Sequence, residues 1–218
     1  MASLGFIAVG GALSVVSGLI ALAVSFAAYR YLKIGDVGLL TYLSLSFALL
    51  GVGLMLQGAM SLILGLRLGN VYEDARLTYF MGITYLMVEN LAYLLLVIGY
   101  TRETFWRGAS SLAPLIIITP SQLRRYFLLG HLVFDASQVL SILLLMIILF
   151  EGFLLSTRSG SSFSRLVLLA FTVLLLAHVT MLYASATMTP FYYIVGELVQ
   201  FVSFSLLLAF LIRWYRVE

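Results

Sequence analysis

Five ionisable side chains, Glu89, His131, Asp135, His178 and Glu197, stand inside long apolar stretches of this chain. Carboxyl and imidazole groups can exchange protons, bind cations or ligate a metal. A charge at the centre of a bilayer costs roughly 2.5–3.5 kcal/mol even on the lenient insertion scale. Residues that carry that cost face a bundle interior, where they mark ion, proton or substrate pathways. Their spacing is helical. His131, Asp135 and Gln138 follow an i, i+4, i+7 pattern, as do Tyr193, Glu197 and Gln200. Tyr85, Glu89 and Tyr93 form a third stripe, with Asn90 beside it. Residues at this spacing share one face of a helix, so each stripe is expected to turn away from lipid.

Three chemistries fit such a set. Each carboxyl could be held by Tyr, Gln, Asn or His in a network that fixes helix register, as intramembrane hydrogen bonds often do. Glu89, Asp135 and Glu197 could instead exchange a cation or proton, with His131 and His178 taking part. Finally, His131, Asp135, His178 and Glu197 could ligate zinc or another divalent metal, and an open coordination position would make an intramembrane hydrolase. No Walker loop, Gly-x-Ser-x-Gly elbow, His-Glu-x-x-His or dinucleotide fingerprint is present. The expectation leans away from an enzyme, and toward no cofactor unless a divalent metal binds.

The elements that must position these groups follow from composition. Of 218 residues, 63% are hydrophobic and only 10% charged, with a mean hydropathy of +1.13. A soluble domain carries about 25% charged residues. So apolar a chain must have lipid as its solvent, and residues 1–218 read as one transmembrane helical domain. Cysteine is absent, which removes disulfides, thiolate metal sites and cysteine nucleophiles. The net charge of +3 comes from twelve basic residues in short loops; this is topology rather than a nucleic-acid patch. Arginine in place of lysine and the missing cysteine fit a thermophilic source. The first apolar run has no basic residue before it and is too long for a signal-peptide core, so it is expected to be retained as a helix.

Six long apolar segments, about 4–31, 39–66, 77–100, 126–155, 165–185 and 189–214, each supply the roughly 20 residues of a transmembrane helix. A shorter segment, 109–123, contains Pro114 and Pro120. It is a seventh span, or a re-entrant or interfacial piece of a six-span protein. Charge favours the seventh span. With six spans the basic residues divide evenly between the two sides. With seven and the amino terminus outside, eight basic residues lie inside and four (Arg67, Arg76, Arg124, Arg125) lie outside, as the positive-inside rule requires. The expected architecture is therefore an all-α, seven-helix bundle in the cell membrane, arranged three-one-three, with the carboxyl terminus cytoplasmic.

At about 1.5 Å per residue, His131 then lies roughly 9 Å below the outer edge, His178 and Glu197 roughly 12 Å, Gln57 about 14 Å, and Asp135 and Glu89 about 15–17 Å. All six fall in the outer half of the bilayer, whose hydrocarbon half-thickness is about 15 Å. Glu151 sits near the inner end of its helix, within reach of Arg158 and the interface, and is expected to be solvated or ion-paired. Asn70, Glu73, Asp74 and Arg76 read as a polar outer loop.

A faint internal repeat accompanies the count. Thr78-Tyr-Phe80 and Thr189-Pro-Phe191 open the third and last long segments, a register that sets Glu89 on Gln200 and Tyr93 on Phe204. Transporters often carry such duplications, with the substrate between the halves. In layout the three-one-three plan resembles SWEET-type sugar transporters and opsins. The last segment has no lysine for a retinal Schiff base and no Pro-Gln pair of the SWEET kind is present, so neither family is claimed. The metal alternative is similar in layout to seven-span zinc hydrolases of the ceramidase and adiponectin-receptor type. Those use three histidines, whereas this chain has two in all.

Small residues recur at four-residue spacing in the first two segments: Gly10, Ser14, Gly18, and Ser44, Ala48. They let helices approach closely, either within the chain or across a homo-oligomer seam. The function expected is transport, conduction or sensing of a cation, proton or small polar solute. The alternatives are a metal-dependent hydrolase or a non-catalytic subunit of a membrane complex.

Overall fold

The computed structural model describes residues 4–32, 38–66, 71–105, 130–159 and 162–215. These form six helices: α1 (Leu4–Leu32), α2 (Gly38–Leu66), α3 (Val71–Phe105), α4 (Gly130–Ser159), α5 (Ser162–Thr187) and α6 (Pro190–Tyr215). All six are long and apolar enough to cross a membrane. In lipid a helix is favoured because it satisfies its backbone groups internally. The chain is thus a polytopic membrane protein with an all-α bundle. The segment 109–123 lies outside the described residues. Residues 71–76, expected as loop, are helical and open α3; acidic residues such as Glu73 and Asp74 favour a helix N-terminus, so polarity there does not imply a loop.

Each helix packs against its neighbours in sequence, and α6 returns to α1, closing a six-membered ring. The α1–α2 seam is built on small residues. A Cβ added at Gly11 would stand 2.8 Å from the Leu62 backbone nitrogen, and one at Gly18 would stand 2.8 Å from the Gly51 carbonyl. Ser25 and Ser44 exchange hydroxyl-to-carbonyl bonds of 2.7 and 3.0 Å across the same seam. Gly11 and Gly18 therefore serve close packing within the chain, whereas Gly10 and Ser14 of the expected stripe face Glu197 on α6.

Two seams are parallel. On α3 and α4, Asn90 meets Ser137 and Ser141, Thr101 meets Glu151, and the Thr104 carbonyl accepts from Arg158. On α1 and α6, Ser14 meets Glu197 and the Tyr31 hydroxyl donates to the Leu211 carbonyl. In both pairs later residues meet later residues. The other neighbouring pairs run antiparallel: Gly53 meets Tyr85 while Gly99 meets Tyr42, Gln138 meets His178 while Gly152 meets Leu168, and Gly196 meets Met181 while Ser203 meets Ala170. Consequently α3 ends and α4 begins at opposite ends of the bundle. So do the start of α1 and the end of α6.

The turn between α5 and α6 is tight. Met188 has φ 53°, and the Thr189 and Met188 amides donate to the Ala184 and Ser185 carbonyls. This is a Schellman cap with a methionine in the left-handed position usually held by glycine. Pro190 then starts α6, where its missing N–H costs no helical bond. The half of the bundle away from this turn is filled by Phe47, Leu50, Leu96, Leu145, Ile148, Phe171, Leu207 and Leu211, all buried. Phe47 and Phe204 meet edge to face at 5.5 Å. Lipid-facing positions carry Phe26, Leu56, Phe150 and Phe153, which the protein leaves more than half exposed.

Candidate functional site

The half of the bundle that holds the α1 start and the α5–α6 turn encloses a cavity of about 210 Å³. Each of the six described helices lines it: Ser14 from α1, Gln57 from α2, Tyr85 and Glu89 from α3, Gln138 from α4, Met181 from α5, and Tyr193, Glu197 and Gln200 from α6. Leu54, Ile83, Leu86 and Phe134 supply apolar wall. The Tyr193–Glu197–Gln200 stripe, Tyr85 and Glu89 of a second and Gln138 of a third thus reach one space, because a polar face avoids lipid and the ring leaves only its centre.

Glu89 is 1% exposed and Glu197 6%. The Tyr85 hydroxyl donates to Glu89 Oε1 at 2.6 Å, and Gln200 Nε2 reaches the Tyr85 oxygen at 3.5 Å. Ser14 Oγ lies 3.1 Å from Glu197 Oε1 and 3.0 Å from the Gly10 carbonyl. Glu197 also borders a second cavity, again about 210 Å³, which it shares with Gln57 and Tyr193. That crevice opens between α1, α2 and α6 past Gly10, Gly11 and Ile194. Glu89 Oε2, Glu197 Oε2 and Gln57 Oε1 are buried and have no hydrogen-bond partner among the described residues.

A fully buried relay lies beside Glu89. His178 Nδ1 is 2.8 Å from Gln138 Oε1, and His178 Nε2 is 2.8 Å from the Tyr93 hydroxyl. With the Gln138 carbonyl as acceptor, Nδ1 carries the proton and Nε2 accepts from Tyr93; the network assigns this tautomer. Glu89 Oε1 stands 3.8 Å from Nε2, outside hydrogen-bond reach. A neutral His178 in that tautomer makes this a contact rather than an ion pair. Both ring nitrogens are occupied, so neither offers a free lone pair to a metal. No cluster of three or more His, Cys, Asp or Glu able to hold a metal forms among the described residues.

The remaining expected residues part company. Asn90 faces the α3–α4 seam, donating to Ser137 and to the Leu86 carbonyl and accepting from Ser141. Asp135 is half-buried and has one unpartnered oxygen, yet it does not line the cavity, although Phe134 and Gln138 do. The side chain of His131 lies outside the described residues. Glu151 departs from its expected solvated end position: it is 6% exposed and accepts from Thr101 at 2.6 Å, while Arg158 turns to the Thr104 carbonyl. Thr101 on the neighbouring helix holds it inside the seam. Ser14 is the cavity contact that sequence reasoning assigned to packing. Its place between Gly10 and Gly18 looks like a small-residue stripe, and nothing local distinguishes the two roles.

No family model, curated protein or solved structure matches the chain.

Proposed function

We propose that this chain is a seven-span membrane transport protein that binds a proton, cation or small polar solute in the central cavity. One observation carries the reading: Gln57, Glu89 and Glu197, on three helices, line the space, and each has a buried acceptor oxygen with no hydrogen-bond partner among the described residues. A buried acceptor left unmade costs about 1–3 kcal/mol, and a bound donor or cation relieves that cost. The dense Phe47–Phe204 half closes the bundle beyond the cavity, which favours a carrier over an open channel.

The parallel α3–α4 seam supports a return crossing by residues 106–129, since the chain must connect opposite ends of the bundle. Those 24 residues suffice for the roughly 20 that a span requires. The two halves, α1–α3 and α4–α6, are then related as parallel repeats, and α3–α4 matches α6–α1 as the equivalent parallel seam. The positive-inside rule places the cavity toward the outside. Intramembrane carboxyls mark such pathways.

Reconstitution into proteoliposomes tests the proposal. Imposed proton or potassium gradients are followed with a pH-sensitive dye and a potential-sensitive dye. Flux by the wild-type chain should fall about tenfold or more in Glu89→Gln and Glu197→Gln, as loss of a group used at every turnover requires. Unchanged flux in both variants removes these carboxyls from the mechanism.

A further inference from the structure

The cavity is small, mostly apolar in its walls, and lined by two buried carboxyl groups. Each of these properties narrows what fits. Glu89 Oε2, Glu197 Oε2 and Gln57 Oε1 are buried without partners among the described residues, and all three residues line the same cavity. Among the described residues no lysine or arginine lines it. An ionised carboxylate and an amide oxygen only accept, so the partners that suit them are donors. A bare inorganic cation of the calcium type takes six to eight oxygen ligands, and magnesium demands near-octahedral oxygen. Leu54, Ile83, Leu86, Phe134 and Met181 occupy much of the wall and supply no oxygen. A primary ammonium group has three N–H donors and no acceptor, which suits in sign a cavity lined by two carboxyls and an amide oxygen.

Size and aromatic content agree. A dry cavity of about 150 Å³ takes up benzene, and this one is about 210 Å³. That leaves room for one ring or a short branched chain beside the charged group, and is below the range of drug-sized pockets. Tyr85, Phe134 and Tyr193 line the space, and aromatic faces attract ammonium ions.

We propose that the solute bound in this cavity is a primary organic ammonium ion with a small apolar body, its N–H groups donating to Glu89, Glu197 and Gln57 and its body packed against Leu54, Ile83 and Phe134. This rests on the reading of the cavity as a solute site and names the class of solute.

Calorimetric titration of the purified full-length protein in lipid nanodiscs tests it with defined probes: benzylammonium, its neutral isostere benzyl alcohol, potassium and calcium. Benzylammonium should bind saturably, and benzyl alcohol about tenfold or more weakly, since it cannot replace the charge-assisted bonds. Glu197→Gln and Glu89→Gln should each weaken benzylammonium about tenfold or more. Glu151→Gln, in the opposite half of the bundle, should bind as wild type. Equal affinity for the alcohol overturns the proposal, as does saturable binding of potassium or calcium with no amine binding, or no binding of any probe by protein that still unfolds cooperatively. If a carboxyl variant fails to fold, the amine-to-alcohol comparison on the wild type decides. Carboxyl-dependent proton or potassium flux without amine binding would overturn this inference and leave the transport reading standing. Amine binding with carboxyl-independent flux would do the reverse.

Discussion

The Glu197 carboxyl occupies the space that a side chain at Gly10 would need: a Cβ built there lies 3.2 Å from Oε2. The adjacent Gly11 faces another direction, where a Cβ would meet the Leu62 nitrogen at 2.8 Å and the Gly58 carbonyl at 2.9 Å. Two neighbouring glycines thus have separate duties, one making room for a cavity-lining carboxyl and the other for a helix backbone.

The two alanine substitutions should therefore part. In Gly10→Ala the gain in helix propensity, up to about 1 kcal/mol, offsets a contact that the carboxyl can relieve by moving. Stability stays within about 1 kcal/mol of wild type while flux falls several-fold. Gly11→Ala meets backbone that cannot yield and should cost about 1–3 kcal/mol through overpacking. Denaturant unfolding in detergent, together with proteoliposome flux, separates the two. Equal losses of stability would show that Gly10 is a packing residue only.

Tyr93 is the donor to His178 Nε2 at a site closed to solvent. Tyr93→Phe leaves that nitrogen without a partner and should cost about 1–3 kcal/mol. His178→Phe removes the acceptor and also strands Gln138 Oε1. Since the singles break the same bond, the double variant should lose less than their sum by about 0.5 kcal/mol or more. A double-mutant cycle on unfolding free energies measures this, and strict additivity would contradict the bond.

A chain without cysteine makes topology easy to read. Single-cysteine variants at Asp36, Asn70, Arg107 and Arg125 can be probed in intact cells with a membrane-impermeant maleimide. With a return crossing between 107 and 125, Arg125→Cys should label on the side of Asn70→Cys, and Arg107→Cys on the side of Asp36→Cys. Labelling of Arg107→Cys and Arg125→Cys from the same side would remove the seventh span.

Much of the site can be read from spacing. Glu89, Gln138, His178, Glu197 and Gln200 are buried near or in one cavity half because polar groups at helical periods must avoid lipid, and that rule needs no tertiary information. The lipid-solvated bundle follows from composition in the same way. Periodicity says which residues share a helix face, but the rotation of that helix against its neighbours is set by side-chain volume at the seams. Gly53 opposite Tyr85 and Val88, and Gly152 opposite Leu168, are contacts between residues distant in sequence. They determine that Gln138 enters the cavity while Asp135 does not, and that Asn90 joins a seam rather than the cavity. The same packing pulls Glu151 inward to Thr101 and turns Ser14 from a spacer into a partner of Glu197. Local hydrophobicity therefore determined the helices, their lipid exposure and the layer holding the polar groups. Only the closed ring, with its parallel α3–α4 and α1–α6 seams, decided which of those groups share a cavity, because helix rotation and pairing depend on contacts that no single segment contains.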